Sequence, residues 1–198
     1  MSLKILSKAD LAVLTVQGVT AGLNIIDWVY YDTLSVTNAT TSLRFFQQAY
    51  GQGGTTLETT NMELPGQLPA KSAFIILEFG AEFVPGSVAA VPAYISDQVA
   101  ALHAGHFQFY IGSRPFYQEK LIALAGGGLH GMSSVFGTAN FFYAAARRAQ
   151  NAKMEYMPKI DGSTSFAVTV DWDVAPAVAA TGKLIVKARG KLVRVSAA

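Results

Sequence analysis

The chain has 198 residues, of which 51% are hydrophobic and only 14% are Asp, Glu, Lys or Arg, and its formal net charge is +2. Ordinary soluble domains carry about 25% charged residues, so we expect much of this surface to lie against other protein chains. The absence of cysteine excludes a disulfide framework, a thiolate zinc site and a cysteine nucleophile. The small net charge excludes strong long-range attraction of nucleic acid.

The N-terminal region predicts neither a signal peptide nor a membrane span. Asp10 follows the two early lysines, and the apolar run 11–16 is too short for a signal peptide. Residues 7–17 fit either a short helix or an apolar first strand. The most apolar long window, residues 121–146, contains a triple glycine and several polar residues, so it lacks the ~20 continuous apolar residues of a spanning helix.

Several segments have the β-branched and aromatic content that is typical of strands. A compact turn at residues 112–115 separates two of them, and glycine or proline punctuates most of the other connections. The predicted strands are residues 25–36, 43–48, 73–79, 106–111, 116–124, 165–173 and 183–195, the last of them interrupted by Gly190. Residues 135–146 fit either a strand or a helix.

One segment, residues 92–103, predicts a helix. A proline suits its first turn, Ile95, Val99 and Leu102 form one apolar face, and Gly105 ends it. A parallel α/β fold would need a helix between most strands, and this chain lacks them. The sequence therefore predicts an all-β sandwich of roughly eight strands with one short helix in a central connection.

Some predicted strands are apolar on both faces, whereas a strand with one wet face should alternate. Residues 73–77 do not alternate, residues 107–111 alternate only weakly, and residues 141–143 not at all. Each single strand fits a central position covered by loops or the helix. For all of them together, in a chain so poor in charge, burial against neighbouring subunits is the better explanation. The expected core or subunit-interface residues are Phe74, Ile76, Phe107, Phe109, Phe141 and Phe142.

The histidines and serines do not predict a metal or catalytic site. His103 and His106 lie three residues apart and His130 is in a glycine-rich loop, with no third ligand at a fixed spacing, so we expect structural roles. Ser133 and Ser134 follow His130, but the chain has no Gly-x-Ser-x-Gly motif.

Glu78 and Glu82 lie close together near the end of an apolar strand. They would serve as an acid and base pair if their carboxyl groups met, but such residues more often form an ion pair at an edge or an interface. The glycines at 126–128 lack the Lys-Ser/Thr of a phosphate loop, so they predict a flexible loop. We predict no catalytic residue, no metal and no cofactor.

Basic residues concentrate near the C-terminus, and no acidic residue follows Asp173. A basic C-terminal hairpin would face phosphate groups, either of nucleic acid or of lipid head groups, and would lie toward a particle interior. The alternative is a solvated edge strand that its lysines protect from pairing. Residues 183–189 fit that alternative, because basic side chains share one face. The basic residues are Lys183, Lys187, Arg189, Lys191 and Arg194, with Arg147, Arg148 and Lys153 as a second cluster.

The order of these elements resembles that of a known family. A proline-flanked loop at residues 61–69 precedes the apolar strand 73–79, the helix 92–103, paired strands, a late hydrophobic strand and a basic C-terminal strand. This order is similar to that of the single jelly-roll major capsid proteins of tailless icosahedral bacterial and archaeal viruses, some of which enclose a membrane. The resemblance covers residues 43–195. It implies a capsomer of several eight-stranded jelly rolls packed side by side, with no catalytic residues.

These observations favour one jelly-roll domain over residues 1–198, with residues 1–42 as an N-terminal segment. The leading hypothesis is a virion protein, assembled in the host cytoplasm, that forms capsomers of an icosahedral shell. Its expected partners are copies of itself and other capsid proteins, with a viral membrane or genome on the basic side. No small-molecule substrate is predicted.

Two other functions remain open on a similar architecture. A head-decoration, fibre or carbohydrate-binding module would present an aromatic platform. A cupin-like enzyme would need a His/Glu metal cluster, which the sequence does not show. The candidate platform residues are Trp28, Tyr30, Tyr31, Tyr110 and Tyr117.

Overall fold

The computed structural model describes residues 23–86, 91–125, 152–153 and 158–195. Within these residues the chain forms strands in two sheets, together with two helices. In chain order they are β1 (Leu23–Val36), β2 (Ser42–Phe45), β3 (Ser72–Val84), α1 (Val91–His103), β4 (His106–Ile111), β5 (Arg114–Lys120), α2 (Leu121–Leu124), β6 (Ala152–Lys153), β7 (Lys159–Asp161), β8 (Phe166–Asp171) and β9 (Gly182–Val195).

The strands form a five-stranded and a four-stranded antiparallel sheet. The first has the order β1-β9-β3-β6, with β7 also paired to β3, and the second has the order β2-β8-β4-β5. The predicted all-β architecture is confirmed, because the strand pairs of both sheets are antiparallel and the described residues contain only two helices. Strand β1 lies entirely within the predicted N-terminal segment, residues 1–42, and it pairs along its whole length with β9.

The strand pairs have a mirror order along the chain. Strand β1 pairs with β9, β2 with β8, β3 with both β7 and β6, and β4 with β5. The two halves meet at a tight turn at Gly112 and Ser113 between β4 and β5. Among the described strands, these pairs are therefore nested one inside the other along the chain.

The inner faces of the two sheets enclose one aromatic core. Phe74 and Ile76 of β3 and Phe107 and Phe109 of β4 are buried in it. The ring of Phe79 lies between the sheets, with its centroid 5.0 Å from the rings of both Phe107 and Phe109. Of the predicted core or interface residues, these four therefore belong to the core of the single chain.

The start of β3 is buried on both faces, as its sequence indicates. Side chains from Ser72 to Ile76 are all buried within this chain alone, including the outward-facing Ala73 and Ile75. For the start of β3, the alternative of a strand covered within its own chain therefore holds, and no neighbouring subunit is needed to bury it. This part of β3 lies between β9 and β7 in the sheet.

The predicted break of the last strand at Gly190 is wrong, because β9 runs without interruption for 14 residues. The irregularity lies instead on the neighbouring strand, where the register shifts between Ile76 and Glu78 and leaves Leu77 as an extra residue. A Cβ atom at Gly190 would lie only 1.9 Å from the carbonyl oxygen of Ile75. Glycine is needed there because the bulged backbone of β3 passes directly over it.

The prediction of a strand over residues 116–124 is correct only as far as Lys120. Residues Leu121–Leu124 form one helical turn, and Leu121 and Leu124 are both buried. An alternating strand would turn one of these two leucines outward, whereas a helix places residues three apart on the same face. Burial of both leucines therefore favours the helical turn.

The predicted helix is observed as α1, which connects the two sheets between β3 and β4. The indole nitrogen Nε1 of Trp172 donates a hydrogen bond of 2.9 Å to the carbonyl oxygen of Ala101. The amide Nε2 of Gln98 donates to the carbonyl oxygen of Phe83 at 3.1 Å. These buried contacts fix α1 against the end of both sheets.

Some predictions concern residues outside the described ranges. They are the helix or strand at 7–17, the flexible loop at 126–128, the ambiguous segment 135–146, and Phe141 and Phe142 within it.

Candidate functional site

Strand β9 carries the basic residues that the sequence analysis singled out, and its two faces differ completely. Alternate side chains point into the core and are buried, as Leu184 and Val186 show. The intervening side chains lie on the outer face of the five-stranded sheet. This face carries Ile185 with Lys183, Lys187, Arg189 and Lys191.

Acidic residues of β3 lie beside two of these cations. Lys187 Nζ lies 2.8 Å from Glu82 Oε2, and Arg189 Nη1 lies 3.2 Å from Glu78 Oε1. The two carboxylates are therefore held by separate basic partners across the sheet. This is the ion-pair alternative for Glu78 and Glu82, and not an acid and base pair.

Acidic residues on the outer strands lie beside two further cations. Lys191 Nζ lies 2.7 Å from Asp27 Oδ1 of β1, and Lys159 Nζ lies 2.8 Å from Asp161 Oδ1 of β7. Cations and anions thus alternate across the outer face, which we call the charged face. Lys183 is exposed at the end of this row.

Arg194 does not belong to the charged face. It lies on the opposite side of β9, where its guanidinium forms an ion pair with Glu63 of the 61–69 loop. Burial raises the pKa of the Tyr30 hydroxyl, although the nearby Arg194 opposes this shift. Arg194 Nε, the Tyr30 hydroxyl and Trp28 Nε1 are buried without a hydrogen bond of good geometry.

Two predictions about the basic C-terminal region are therefore corrected. It is a single strand and not a hairpin, and it lies between β1 and β3, so it is not an edge strand. A central position was not visible in the sequence because lysine-rich alternation is also typical of edges. Of the second basic cluster, Arg147 and Arg148 lie outside the described residues, and Lys153 lies in β6 opposite Glu78.

Asp32 forms a buried polar site that the sequence analysis missed. Its carboxylate accepts hydrogen bonds from the backbone N–H of Phe46 at 2.5 Å and of Thr33 at 3.0 Å. Burial raises the pKa of the Asp32 carboxyl, while these bonds and the Thr60 hydroxyl oppose the shift. The bond to Phe46 ties β1 to the segment that follows β2. The sequence contains one sign of this site, because Asp32 falls on the apolar face of the predicted strand.

The predicted histidine and serine residues form no site in the described part of the chain. His103 and His106 are both exposed, at the end of α1 and the start of β4. Within the described residues, no three His, Cys, Asp or Glu side chains are arranged to hold a metal ion. His130, Ser133 and Ser134 lie outside them.

The five candidate platform aromatics do not share a surface. Tyr30 is buried in the core, and Trp28 packs edge-on against it with ring centroids 6.2 Å apart. The ring of Tyr117 stacks on the core residue Phe79 at 6.3 Å. The register places Tyr31 and Tyr110 on the outer faces of different sheets.

A shallow depression of about 470 Å³ lies at the β1 side of the charged face. It is lined by Asp27, Trp28, Val29, Asn61 and Arg189. The Asn61 side chain bonds to the edge of β1, since Nδ2 donates to the Val29 carbonyl at 2.7 Å and Oδ1 accepts from a backbone N–H at 2.9 Å. The sequence gives no sign of this depression, because its residues come from three separate parts of the chain.

Comparisons with protein-family models, with curated proteins and with solved structures give no match for this chain. No helix among the described residues is both long and apolar enough to cross a membrane.

Proposed function

We propose that the protein is a jelly-roll capsid subunit that assembles with copies of itself, and with other capsid proteins, into a virion shell. Its work is structural, and no chemical step is assigned to it. The observation that carries the proposal is the mirror order of strand pairs.

A jelly roll is an antiparallel sandwich of eight strands built from two Greek keys, a fold found in viral capsid and lectin domains. Rolling one long hairpin gives sheets in which the first strand neighbours the last and the second neighbours the last but one. The orders β1-β9-β3-β6 and β2-β8-β4-β5 follow this rule when β6 and β7 count as two pieces of one strand. The fold alone does not specify a function, so the surface must supply the second argument.

The low charge of the chain supports assembly. The centres of protein interfaces are depleted in charged residues and enriched in aromatic ones. The chain has 14% charged residues, and on the charged face most cations already have an acidic neighbour. The basic residues therefore favour contact with other protein surfaces over strong binding of a genome or a lipid head group.

The β5 strand is the favoured place for a contact with a second copy. It pairs with β4 on one side, and no strand within the described residues pairs with its other edge. Phe116 on this strand is 58% exposed. A sheet edge that presents an exposed aromatic residue is a place where another chain can pair.

The size of the purified full-length protein tests the proposal. We expect light scattering to detect capsomers or larger particles, and negative-stain electron microscopy to show them as rings or shells. A stable monomer at high concentration, under several salt conditions, would overturn the proposal.

A pair of variants tests the place of contact. Replacing Phe116 by serine should shift the protein toward monomers while the circular dichroism spectrum stays unchanged. Val174→Ser is the matched control, because Val174 is 78% exposed in a loop and should leave assembly intact. Equal assembly by the two variants would contradict the assignment of β5.

A further inference from the structure

Two separate surfaces of the described chain expose large apolar side chains. The outer edge of β5 exposes Phe116. The loop of residues 47–61, which we call the edge loop, carries Tyr50, which is 52% exposed, and Leu57, which is 62% exposed. We propose that Phe116 of one copy docks head to tail against Tyr50 and Leu57 of a second copy. This inference rests on the proposed self-assembly and names the partner surface of the same β5 contact.

The two surfaces lie on opposite sides of the sandwich. Strand β5 ends the four-stranded sheet on one side, and β2, which the edge loop follows, ends it on the other. With β8 and β4 between them, β2 and β5 are three strand spacings apart, or about 14 Å. The edge loop is also bonded to β1, the end strand of the other sheet, because the Tyr31 hydroxyl donates to the Leu57 carbonyl. One copy therefore cannot bring its own two surfaces together, whereas neighbouring copies can.

Backbone hydrogen bonds hold the edge loop in shape. The Tyr50 N–H donates to the Met62 carbonyl at 3.0 Å, and the Gly51 N–H donates to the Thr55 carbonyl at 2.9 Å. A surface that is already ordered loses less conformational entropy when a partner binds. Aromatic residues are also enriched in protein interfaces, which fits an exposed tyrosine on this loop and an exposed phenylalanine on β5.

The charges of the two surfaces are complementary. Glu58 is exposed on the edge loop, and Arg114 and Lys120 are exposed at the two ends of β5. None of the three takes part in an ion pair within the described residues. Opposite charges on two surfaces direct their association and fix their orientation. The acidic loop and the basic strand edge therefore favour each other as partners.

A two-fold contact between two β5 edges is less favourable than this head-to-tail contact. The register between β4 and β5 shifts and leaves Phe116 as an extra residue of β5, beside Pro115. A bulge and a proline both obstruct the pairing of an edge strand. Two β5 edges would also bring together the cations Arg114 and Lys120 of both copies. A head-to-tail contact avoids this repulsion, and its repetition closes into a ring if the rotation between copies permits.

Substitution of the edge loop gives the first test. On size-exclusion chromatography with light scattering, Leu57→Ser in the full-length protein should weaken association by about tenfold or more, because the contact loses a leucine side chain. The circular dichroism spectrum should stay unchanged, since the side chain is exposed and the backbone carbonyl that binds Tyr31 is retained. Val174→Ser is the matched control and should assemble as the wild type does.

A mixture of two variants distinguishes a head-to-tail contact from a two-fold one. The Phe116→Ser copy keeps an intact edge loop, and the Leu57→Ser copy keeps an intact β5 edge. We expect each variant alone to be a monomer, and an equimolar mixture to contain dimers with one copy of each. A two-fold contact would instead leave Leu57→Ser assembled as the wild type is, and Phe116→Ser monomeric in every mixture. That result would overturn the inference.

A charge exchange tests the pairing of the same two surfaces. Arg114→Glu and Glu58→Arg should each weaken association severalfold, because each places like charges at the contact, and the two combined in one chain should restore it. Lys183→Glu combined with Glu58→Arg is the control and should restore nothing, since Lys183 belongs to the charged face. A combined variant no better than the single ones would contradict the inference.

The outcomes for the two proposals are distinct. A monomeric wild type would overturn the capsid proposal and this inference together. An assembled wild type with an equally assembled Leu57→Ser variant would overturn this inference alone.

Discussion

The two faces of β9 are made by alternate residues of one strand, yet they are held by different forces. On the inner face, Leu184, Val186 and Leu192 are fully buried in the core. On the outer face, Lys187 and Arg189 form ion pairs that remain partly exposed to water. Burial of an apolar side chain stabilises a fold by about 1.5–3 kcal/mol, whereas an exposed ion pair contributes about 0–1 kcal/mol.

The inner-face residues of β9 therefore stabilise the fold, whereas the outer-face residues are available for contacts with other molecules. Changes on the inner face should therefore lower the free energy of unfolding, while changes at exposed positions of the outer face should have small effects on it. A role in binding is therefore easier to test on the outer face, because variants there should remain folded.

The largest effect is expected at Gly190, where the inner face meets the bulge of β3. Gly190→Ala should lower the free energy of unfolding by more than about 4 kcal/mol, because the new methyl group would overlap the Ile75 carbonyl. Chemical denaturation, or the soluble yield if the variant does not fold, measures this. Gly112→Ala is the control. Gly112 has a positive φ of 60° but open space around it. Its alanine variant should therefore lower the free energy of unfolding by only about 1–2 kcal/mol. Equal losses would refute the close approach.

The next effect concerns the aromatic core between the sheets. Phe79→Ala should lower the free energy of unfolding by about 3–5 kcal/mol. The ring packs against both Phe107 and Phe109, and its removal leaves a cavity. Urea denaturation gives the value. The exposed Phe116, replaced by alanine, should change stability by less than about 0.5 kcal/mol. A similar loss for the two variants would mean that Phe79 does not join the sheets.

A smaller loss is expected at Asp32, a polar group on the inner face of β1. Asp32→Asn should lower the free energy of unfolding by about 1–3 kcal/mol. In the variant, an amide nitrogen would replace one acceptor oxygen and would face the backbone N–H of Phe46 or Thr33. Asp173→Asn, an exposed position, is the control and should be neutral. A neutral Asp32→Asn variant would contradict the buried hydrogen bonds.

Asp32 should also give the stability a dependence on pH. Burial raises the pKa of its carboxyl in the folded protein above the value of the unfolded chain, about 3.9. This contribution to the free energy of unfolding is therefore fully present below the unfolded pKa and is lost as pH rises through the folded pKa. Compared with the wild type, Asp32→Asn should lose less stability between pH 4 and pH 7. Denaturation curves at a series of pH values would show identical profiles if Asp32 did not titrate in this way.

The smallest effect is expected on the charged face. A double-mutant cycle of Lys187→Ala and Glu82→Ala should give a coupling energy below about 1 kcal/mol, since both side chains are more than one-third exposed. The coupling should decrease as salt is added, because salt screens exposed charges. A larger, salt-independent coupling would mean that the outer face contributes to the fold as the inner face does.

Local patterns in the sequence were enough to identify most elements. Alternation of apolar and polar side chains marked β8 and the first half of β9, and a proline followed by one apolar stripe marked α1. These patterns have short periods, so each is complete within a few residues. The all-β fold class followed from the same local information.

The partner of each strand was decided only by the tertiary structure. β1 and β9 are far apart in sequence, and nothing in either strand specifies that β9 is central and not at an edge. The bulge at Leu77 and the need for Gly190 arise only when the two strands meet. The same holds for the bonds of Asp32 and the pairing of Glu78 and Glu82 with cations, because each depends on groups that distant segments bring together. Packing within the single chain also buries both faces at the start of β3. Composition alone had suggested that such apolar faces contact neighbouring subunits.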